Sequence, residues 1–380
     1  MTQAMTSVRA RKLAWTTVPG STGLVRLAAG LFVMATIALA PVPVFAGDSE
    51  PTAVAGQGEA LAQTPQVAAS GPIAIAVHGG AGGVAREALS EERRVAVNAA
   101  LRQALAVGHA VLADGGSSVD AVAATVVVLE ESPYFNAGKG AVFNADGDNE
   151  LDAAIMDGAT RNAGAVAALR RVRNPVLLAR AVMDESPHVF MIGSGAERFA
   201  REQGLELVNP RWFRTDDSWS RFQQARRQQA AIAQPLPDEA YYGTVGAVAL
   251  DRNGHVAAAT STGGMTMKRY GRVGDVPVIG AGTWADADCA VSATGWGEFF
   301  IRTAAAHEIC SRVRLAGQSL SEAADGVVMD EIPALGGSGG VIAIDSQGNL
   351  VMPYSSISMF RGSIDAGGTV RTAIWAEDES

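Results

Sequence analysis

The chain is poor in cysteine, histidine and basic charge, and each shortage excludes a class of protein. Two cysteines among 380 residues exclude a disulfide scaffold and a cysteine-rich zinc module. The five histidines lack metal spacing and form no zinc-protease motif. With 30 basic against 39 acidic residues the formal net charge is −9, which argues against nucleic acid as a partner. A hydrophobic content of 48% is too high for a disordered chain.

Residues 1–46 differ in composition from the rest of the chain. Their only charged residues are basic, and an apolar run follows that ends in Val44-Phe45-Ala46. This order predicts a secretory signal peptide, with an uncleaved amino-terminal anchor as the alternative. Residues 47–71 are rich in Ala, Gly, Gln, Pro and Ser and predict a flexible linker. We therefore expect a periplasmic or secreted protein.

The remaining chain, residues 72–380, predicts helices interspersed with apolar strands. Asn253-Gly254 lies between two apolar runs, which is a strong hairpin signal. Residues 209–241 have weak periodicity and predict an exposed, mobile connection. Strands on both sides of an Ala-rich helical middle imply stacked sheets covered by helices. The predicted strands are 72–77, ending in a glycine turn at 78–83, then 150–157, 244–250, 255–262, 341–345 and 350–354; the predicted helices are 89–113, 117 or 118 to 131, 297–315 and 319–331, with two more beginning near 175 and 196.

Cys289 and Cys310 lie in apolar surroundings and predict inert thiols. In an oxidising compartment, a bridge between them is the open alternative.

The feature that points to chemistry is the segment Gly243-Thr244-Val245-Gly246, where a polar stretch ends abruptly and a buried strand begins. Alone, this is explained by a β-prone Thr after a turn. Its surroundings contain a series of further motifs: His78-Gly79-Gly80-Ala81-Gly82, Phe135-Asn136-Ala137-Gly138, Glu150-Leu151-Asp152, Asn174-Pro175-Val176, Thr260-Ser261-Thr262-Gly263-Gly264, Gly271-Arg272-Val273-Gly274-Asp275, Ala293-Thr294-Gly295 and Leu335 to Gly340. In this order, over about residues 72–375, they resemble the plant-type asparaginase / isoaspartyl peptidase family of N-terminal-nucleophile (Ntn) hydrolases.

The resemblance implies an α+β fold, the four-layer αββα sandwich of the Ntn hydrolases. It also implies self-cleavage at Gly243–Thr244 into an α chain, 47–243, and a β chain, 244–380. Two of each would form a heterotetramer. The implied activity is hydrolysis of β-aspartyl dipeptides and of the side-chain amide of L-asparagine, both small-molecule substrates.

The implied chemistry is physically reasonable, because a Thr hydroxyl needs an adjacent base to act as a nucleophile. Cleavage would give Thr244 a free α-amine, whose reference pKa of about 7.7–8.0 suits that task near neutrality. By the resemblance, Thr262 tunes the hydroxyl, Thr294 and Gly295 form the oxyanion hole, Arg272 holds the substrate α-carboxylate, Asp275 holds the α-ammonium, and Asn136 and Gly264 line the site.

No cofactor is implied for the chemistry. A structural Na⁺ or K⁺ is implied in a loop whose main-chain oxygens would hold the ion, those of Leu129, Glu130, Ser132, Phe135, Ala137 and Lys139.

Three alternatives remain open. A glycosylasparaginase-type amidase has an Asp before the nucleophilic Thr, where this chain has Gly243. A catalytically silent secreted binding protein is disfavoured by the intact Thr244 and Thr262. Arg272 and Asp275 alone could be a surface ion pair of little energetic value. One departure from the family pattern is Trp296, which we expect to narrow or cover the mouth of the site.

Overall fold

The computed structural model describes residues 71–231 and 243–379. The predicted signal peptide, nearly all of the predicted linker and residues 232–242 lie outside these ranges. The strands are β1 Ala74–Gly82, β2 Leu151–Asp157, β3 Ala163–Leu169, β4 Phe190–Ile192, β5 Val245–Leu250, β6 Val256–Thr262, β7 Thr283–Ala285, β8 Cys289–Gly295, β9 Gly339–Asp345, β10 Leu350–Val351, β11 Ser358–Ile364 and β12 Val370–Ala373. The helices are α1 Glu91–Ala113, α2 Ser118–Glu131, α3 Pro175–Glu185, α4 Gly193–Glu202, α5 Asp216–Ala231, α6 Gly297–Thr303, α7 Ala305–Ala316, α8 Leu320–Asp325 and α9 Ile332–Ala334, with a π-helical segment, Gly326–Glu331, between the last two.

The larger sheet has eight strands in the order β12-β11-β1-β5-β6-β2-β3-β4. Its pairs are antiparallel except β3 with β4. The predicted hairpin at Asn253-Gly254 is confirmed, since Gly254 has a φ of 79° and joins β5 to β6. This pairing puts the start of β5 beside the end of β6. Thr244 and Thr262 are therefore neighbours.

The smaller sheet is antiparallel, in the order β10-β9-β8-β7. Its packing against the larger sheet follows from the alternation of side chains along each strand. In β1, Ala74 and Ala76 belong to a buried cluster that also contains Ile342 and Ile344 of β9. The intervening residue Ile75 packs among the residues of α1 and α2 on the other face of β1.

A third buried cluster lies between the smaller sheet and the helices that follow it. Val291 of β8 and Val341 of β9 pack there with Ile309 of α7 and Val327. Strands that are buried on both faces read as continuous apolar runs, which explains why so many were recognisable. The predicted α+β class agrees with this mixture of sheets and helices.

The prediction for residues 209–241 is wrong where the structure describes it. Helix α5 begins at Asp216, and Phe222 on it is 2% exposed. Phe213 just before the helix is fully buried. The segment contains many Arg and Gln residues, so its few buried apolar side chains give no clear helical pattern in the sequence.

Two smaller expectations also change. Strand β1 extends through the predicted glycine turn to Gly82, because a bulge between His78 and Gly80 lets the pairing with β11 continue, and Gly80 has a φ of 115°. Cys289 and Cys310 are not free thiols but form a disulfide, with their Cα atoms 5.6 Å apart.

Candidate active site

Thr244 lies at the entrance to β5 and is 7% exposed. Its hydroxyl donates to Thr262 Oγ1 at the end of β6, at 3.1 Å. The same Thr262 oxygen accepts the backbone N–H of Gly264 at 3.0 Å. The orientation of the Thr244 hydroxyl is thus set by a neighbour that is itself held by the backbone.

Thr294, at the end of β8, approaches Thr244 from the smaller sheet. Its Oγ1 accepts the backbone N–H of Thr244 at 3.4 Å and that of Ala81 at 3.1 Å. Gly295 follows with a φ of 145°, and a Cβ there would lie 2.5 Å from Gly339 Cα. Glycine at position 295 therefore permits the close approach of β8 and β9 beside Thr294.

Gly243 presses against the glycine segment at the end of β1. A Cβ on Gly243 would lie 2.5 Å from Gly80 Cα, and one on Gly80 would lie 2.2 Å from Gly243 Cα. Gly243 also has a φ of 27°. No side chain fits at position 243 without a shift of backbone.

Arg272 and Asp275 border the same small cavity as Thr244 and Thr262. The cavity has a volume of about 20 Å³, enough for a water molecule or so. It is lined by Gly243, Thr244, Thr262, Gly264, Met265, Arg272, Gly274, Asp275 and Gly295. Trp296 is not among these residues, although it directly follows Gly295, which is. It borders a neighbouring cavity of about 260 Å³ and packs edge-on against Phe299.

Asp275 is buried, with an exposed fraction of 4%. Within the described ranges, its Oδ2 has no hydrogen-bond partner. Burial raises the pKa of Asp275 to about 6, against the opposing charge of Arg272. A buried carboxylate oxygen without a partner is costly, so it suits a cationic ligand.

Arg272 does not pair with Asp275. Its Nε and Nη2 donate to Oε1 and Oε2 of Glu298, at 3.0 and 2.9 Å. The alternative interpretation, in which Arg272 and Asp275 form a surface ion pair with each other, is therefore wrong. Sequence reasoning missed Glu298, which lies 26 residues from Arg272 on the first turn of α6.

Asn136 connects the loop after α2 to the end of β6. Its Nδ2 donates to the Gly264 carbonyl at 2.7 Å, and its Oδ1 accepts the Val142 backbone N–H at 2.9 Å. Asn136 is 6% exposed and does not border the 20 Å³ cavity, whereas Gly264 does.

His78 on β1 is fully buried behind Thr244. Its two ring nitrogens lie 3.0 Å from the Thr244 carbonyl oxygen and 2.9 Å from Ser292 Oγ. Burial lowers the pKa of His78 to about 3, with an opposing contribution from the bond to Thr244. The ring is neutral near pH 7, so Nδ1–H donates to the carbonyl and Nε2 accepts from Ser292. His78 is satisfied on both sides, as a structural histidine should be.

The predicted ion loop is largely buried; it begins in the last turn of α2 with Leu129 and Glu130 and continues from Ser132 to Lys139 as neither helix nor strand. The carbonyl groups of Leu129 and Glu130 each accept a backbone N–H, from Ser132 and Lys139. No backbone N–H of the described residues donates to the four other carbonyl groups in the predicted set, those of Ser132, Phe135, Ala137 and Lys139. Carbonyl groups without a backbone donor in a largely buried loop suit a hard cation. Among the residues described, no group of three or more His, Cys, Asp or Glu side chains could hold a metal.

A family model described as asparaginase matches residues 71–374. The chain belongs to this asparaginase family. The isoaspartyl peptidase of Escherichia coli (strain K12) is 49% identical over 312 residues, 81% of this chain and 97% of that protein. The probable isoaspartyl peptidase/L-asparaginase 2 of Arabidopsis thaliana is 40% identical, over 80% of this chain and 98% of that protein. The isoaspartyl peptidase/L-asparaginase of Homo sapiens is 41% identical, over 75% of this chain and 91% of that protein.

Membership of the asparaginase family confirms the resemblance on which the site was predicted. The match spans β1 to β12 and so includes both sheets. The matched residues also include the proposed site residues Thr244, Thr262, Thr294, Arg272 and Asp275.

Proposed function

We propose that this protein is an isoaspartyl peptidase with L-asparaginase activity, which becomes active after self-cleavage at Gly243–Thr244. The observation that carries the proposal is the hydrogen bond of 3.1 Å from Thr244 to Thr262 beside a cavity that Arg272 and Asp275 also border. A nucleophile candidate and two complementary charges thus converge on one point.

The intact chain cannot be the working enzyme. In it the Thr244 nitrogen is part of a peptide bond, and an amide nitrogen is no base. The cavity of about 20 Å³ is also too small for an amino acid while Gly243 lines it. Cleavage would supply the amine and open the cavity in a single step.

In the cleaved enzyme, the Thr244 hydroxyl attacks the side-chain carbonyl carbon of the substrate while its α-amine takes the hydroxyl proton. The negative charge on the carbonyl oxygen is stabilised by Thr294 and the Gly295 N–H. Collapse of this intermediate breaks the C–N bond, and the amine proton passes to the leaving nitrogen. Water then hydrolyses the aspartyl ester by the same route, which releases L-aspartate and restores Thr244.

The substrate is held by its amino-acid head. Arg272 binds the α-carboxylate through two parallel hydrogen bonds, and the unpartnered Asp275 Oδ2 accepts from the α-ammonium. Asn136 supports the site through the Gly264 carbonyl. The proposal therefore requires a free α-amino acid group, as in asparagine and amino-terminal isoaspartyl peptides.

The overall arrangement we infer is the four-layer αββα sandwich of the Ntn hydrolases. It is supported by the three buried clusters on the two faces of each sheet. We also propose a heterotetramer of two α and two β chains.

We propose a structural Na⁺ or K⁺ on the carbonyl oxygens of the loop after α2, supported by the four carbonyl groups without a backbone donor. The ion would hold the loop that carries Asn136 and would take no part in the chemistry.

We propose a periplasmic or secreted location. Both the signal-like leader and the Cys289–Cys310 disulfide support it, because disulfides persist in oxidising compartments.

The close approach of Gly243 to Gly80 disfavours the glycosylasparaginase alternative. An Asp there would place its Cβ 2.5 Å from Gly80 Cα, so this backbone excludes the lead-in residue of that enzyme. The test compares kcat/KM of the purified protein on β-Asp-Leu and on a sugar–asparagine conjugate. Faster hydrolysis of the dipeptide supports the proposal, and the opposite order would establish the alternative. Activity on neither would favour the silent binding protein.

A further inference from the structure

Arg272 is already engaged before any substrate is present. Glu298 takes the edge of the guanidinium formed by Nε and Nη2, and both contacts have good hydrogen-bond length. The other edge, formed by Nη1 and Nη2, has no hydrogen-bond partner in the described part of the chain. A guanidinium can bind one carboxylate on each edge, so the pair with Glu298 leaves room for a second carboxylate.

Two glycines make the slot in which this guanidinium lies. A Cβ on Gly274 would be 2.8 Å from Arg272 Nη1, and one on Gly297 would be 3.0 Å from Nη2 and 2.4 Å from Asp275 Oδ1. The side chain of Arg272 is only 17% exposed. The slot and Glu298 together hold Arg272 in one orientation, which lowers the entropic cost of binding a substrate.

The same arrangement sets the charge of the cavity. Burial has the largest single effect on the pKa of Glu298 and would raise it, but the hydrogen bonds and charge of Arg272, with hydrogen bonds from Trp296 and the backbone, together lower it, so Glu298 is ionised near pH 7. Two carboxylates, Glu298 and Asp275, therefore face one guanidinium. The Nζ of the neighbouring Lys268 lies 3.9 Å from Oδ2 of Asp152. The charge of Asp152 offsets that of Lys268, so Lys268 adds no excess of positive charge to the cavity.

We propose that Glu298 is a positioning residue that determines specificity. By holding one edge of Arg272, it directs the other edge to the substrate α-carboxylate. By its charge, it disfavours acids that lack the α-ammonium. This inference rests on the proposed function and extends it to the selection between an amino acid and the corresponding simple acid.

The test uses the self-cleaved wild-type enzyme and its Glu298→Gln and Glu298→Asp variants. Competitive inhibition constants are measured for L-aspartate and for succinate, which is the same molecule without the ammonium, against hydrolysis of L-asparagine. Glu308→Gln is the matched control, because Glu308 on α7 makes a similar pair with Arg312 at 2.9 Å.

Glu298→Gln removes the charge and keeps the shape. We expect it to lower the preference for L-aspartate over succinate about tenfold, while kcat changes much less. Glu298→Asp keeps the charge and shortens the reach. We expect it to keep the wild-type preference but to raise the KM for asparagine about threefold or more. The control variant should resemble the wild type in both respects.

An unchanged preference in Glu298→Gln, or a preference that rises, overturns the proposal. Should Glu298→Gln fail to fold or fail to cleave itself, Glu298→Asp decides alone, and an unchanged KM overturns the proposal. Inactivity of the wild type on both asparagine and β-Asp-Leu would contradict the proposed function instead, so the two failures are distinguishable.

Discussion

At the scale of single residues, Asp275 shows how burial changes what a common side chain can do. Its carboxyl group is 4% exposed and one oxygen lacks a partner, so its pKa rises to about 6. The groups that act on it are Arg272, which favours the ionised form, and Glu298 and Asp152, which oppose it. An aspartate with this environment is still ionised at pH 7 and can bind an ammonium group.

The pH dependence of kcat/KM follows from this pKa and that of the Thr244 amine. The amine must be neutral, so log(kcat/KM) should fall with a slope of about one below the reference α-amine pKa of about 7.7–8.0. Asp275 becomes protonated as the pH falls through about 6, because its pKa is raised rather than lowered. Below that pH, the slope should increase to about two.

This profile is measured with L-asparagine between about pH 5 and pH 8.5. Recovery of full activity on return to pH 8 is the control against unfolding. A slope that stays at one throughout would show that Asp275 does not bind the ammonium.

The site residues differ in how well the sequence predicts them. Thr244, Thr262 and Thr294 lie in contiguous motifs, so their residue types and order were sufficient to propose three residues that the structure brings into contact. Glu298 has no such motif, and its role depends on a contact between side chains that are distant in sequence. The lack of a partner for Asp275 is also invisible in sequence, because it depends on everything packed around that side chain.

At the scale of secondary-structure elements, β8 links the site to the smaller sheet. Cys289 is at one end of β8, and Thr294 and Gly295 are at the other. The disulfide to Cys310 ties this strand to α7. The tether fixes one end of the strand that supplies the proposed oxyanion hole.

Reduction of this disulfide is expected to destabilise the protein. It closes a loop with a sequence separation of 21 residues, and a loop of that size contributes about 3 kcal/mol. Dithiothreitol should therefore lower the Tm by about 5 °C or more. The double variant Cys289→Ala/Cys310→Ala is the control, because its Tm should not respond to the reductant. Equal responses of the two proteins would contradict a structural role for the bond.

Elements with regular patterns were predictable, and α5 was not. The hairpin of β5 and β6 has apolar strands around Asn253-Gly254, so local signals agree with the fold. In α5, Trp219 packs edge-on and Phe222 packs at a tilt against Phe143 from another part of the chain. That contact decides where the helix lies, and a reading of local composition does not include it.

At the scale of the whole molecule, the proposed cleavage would leave the two chains interleaved in one sheet. β1 precedes the cleavage site and lies between β11 and β5, which follow it. β6 likewise pairs with β2 of the other chain. The strands from the two sides of the cleavage site are therefore joined by backbone hydrogen bonds at three boundaries, β11 with β1, β1 with β5 and β6 with β2.

The two chains should accordingly remain together after cleavage. In size-exclusion chromatography under native conditions, we expect both to elute in a single peak and to separate only in denaturant. The uncleaved Thr244→Ala variant provides the elution volume of the intact fold. Separate elution of the two chains from the native wild type would contradict the sheet order.

The central claim is that Thr244 cuts the bond before it and then acts as the nucleophile, and a denaturing gel with end sequencing tests it most directly. The purified wild type should give two bands, residues 47–243 and 244–380, the second beginning with a free Thr, and Thr244→Ala should give one. A single stable wild-type band without a free Thr amine would contradict the mechanism.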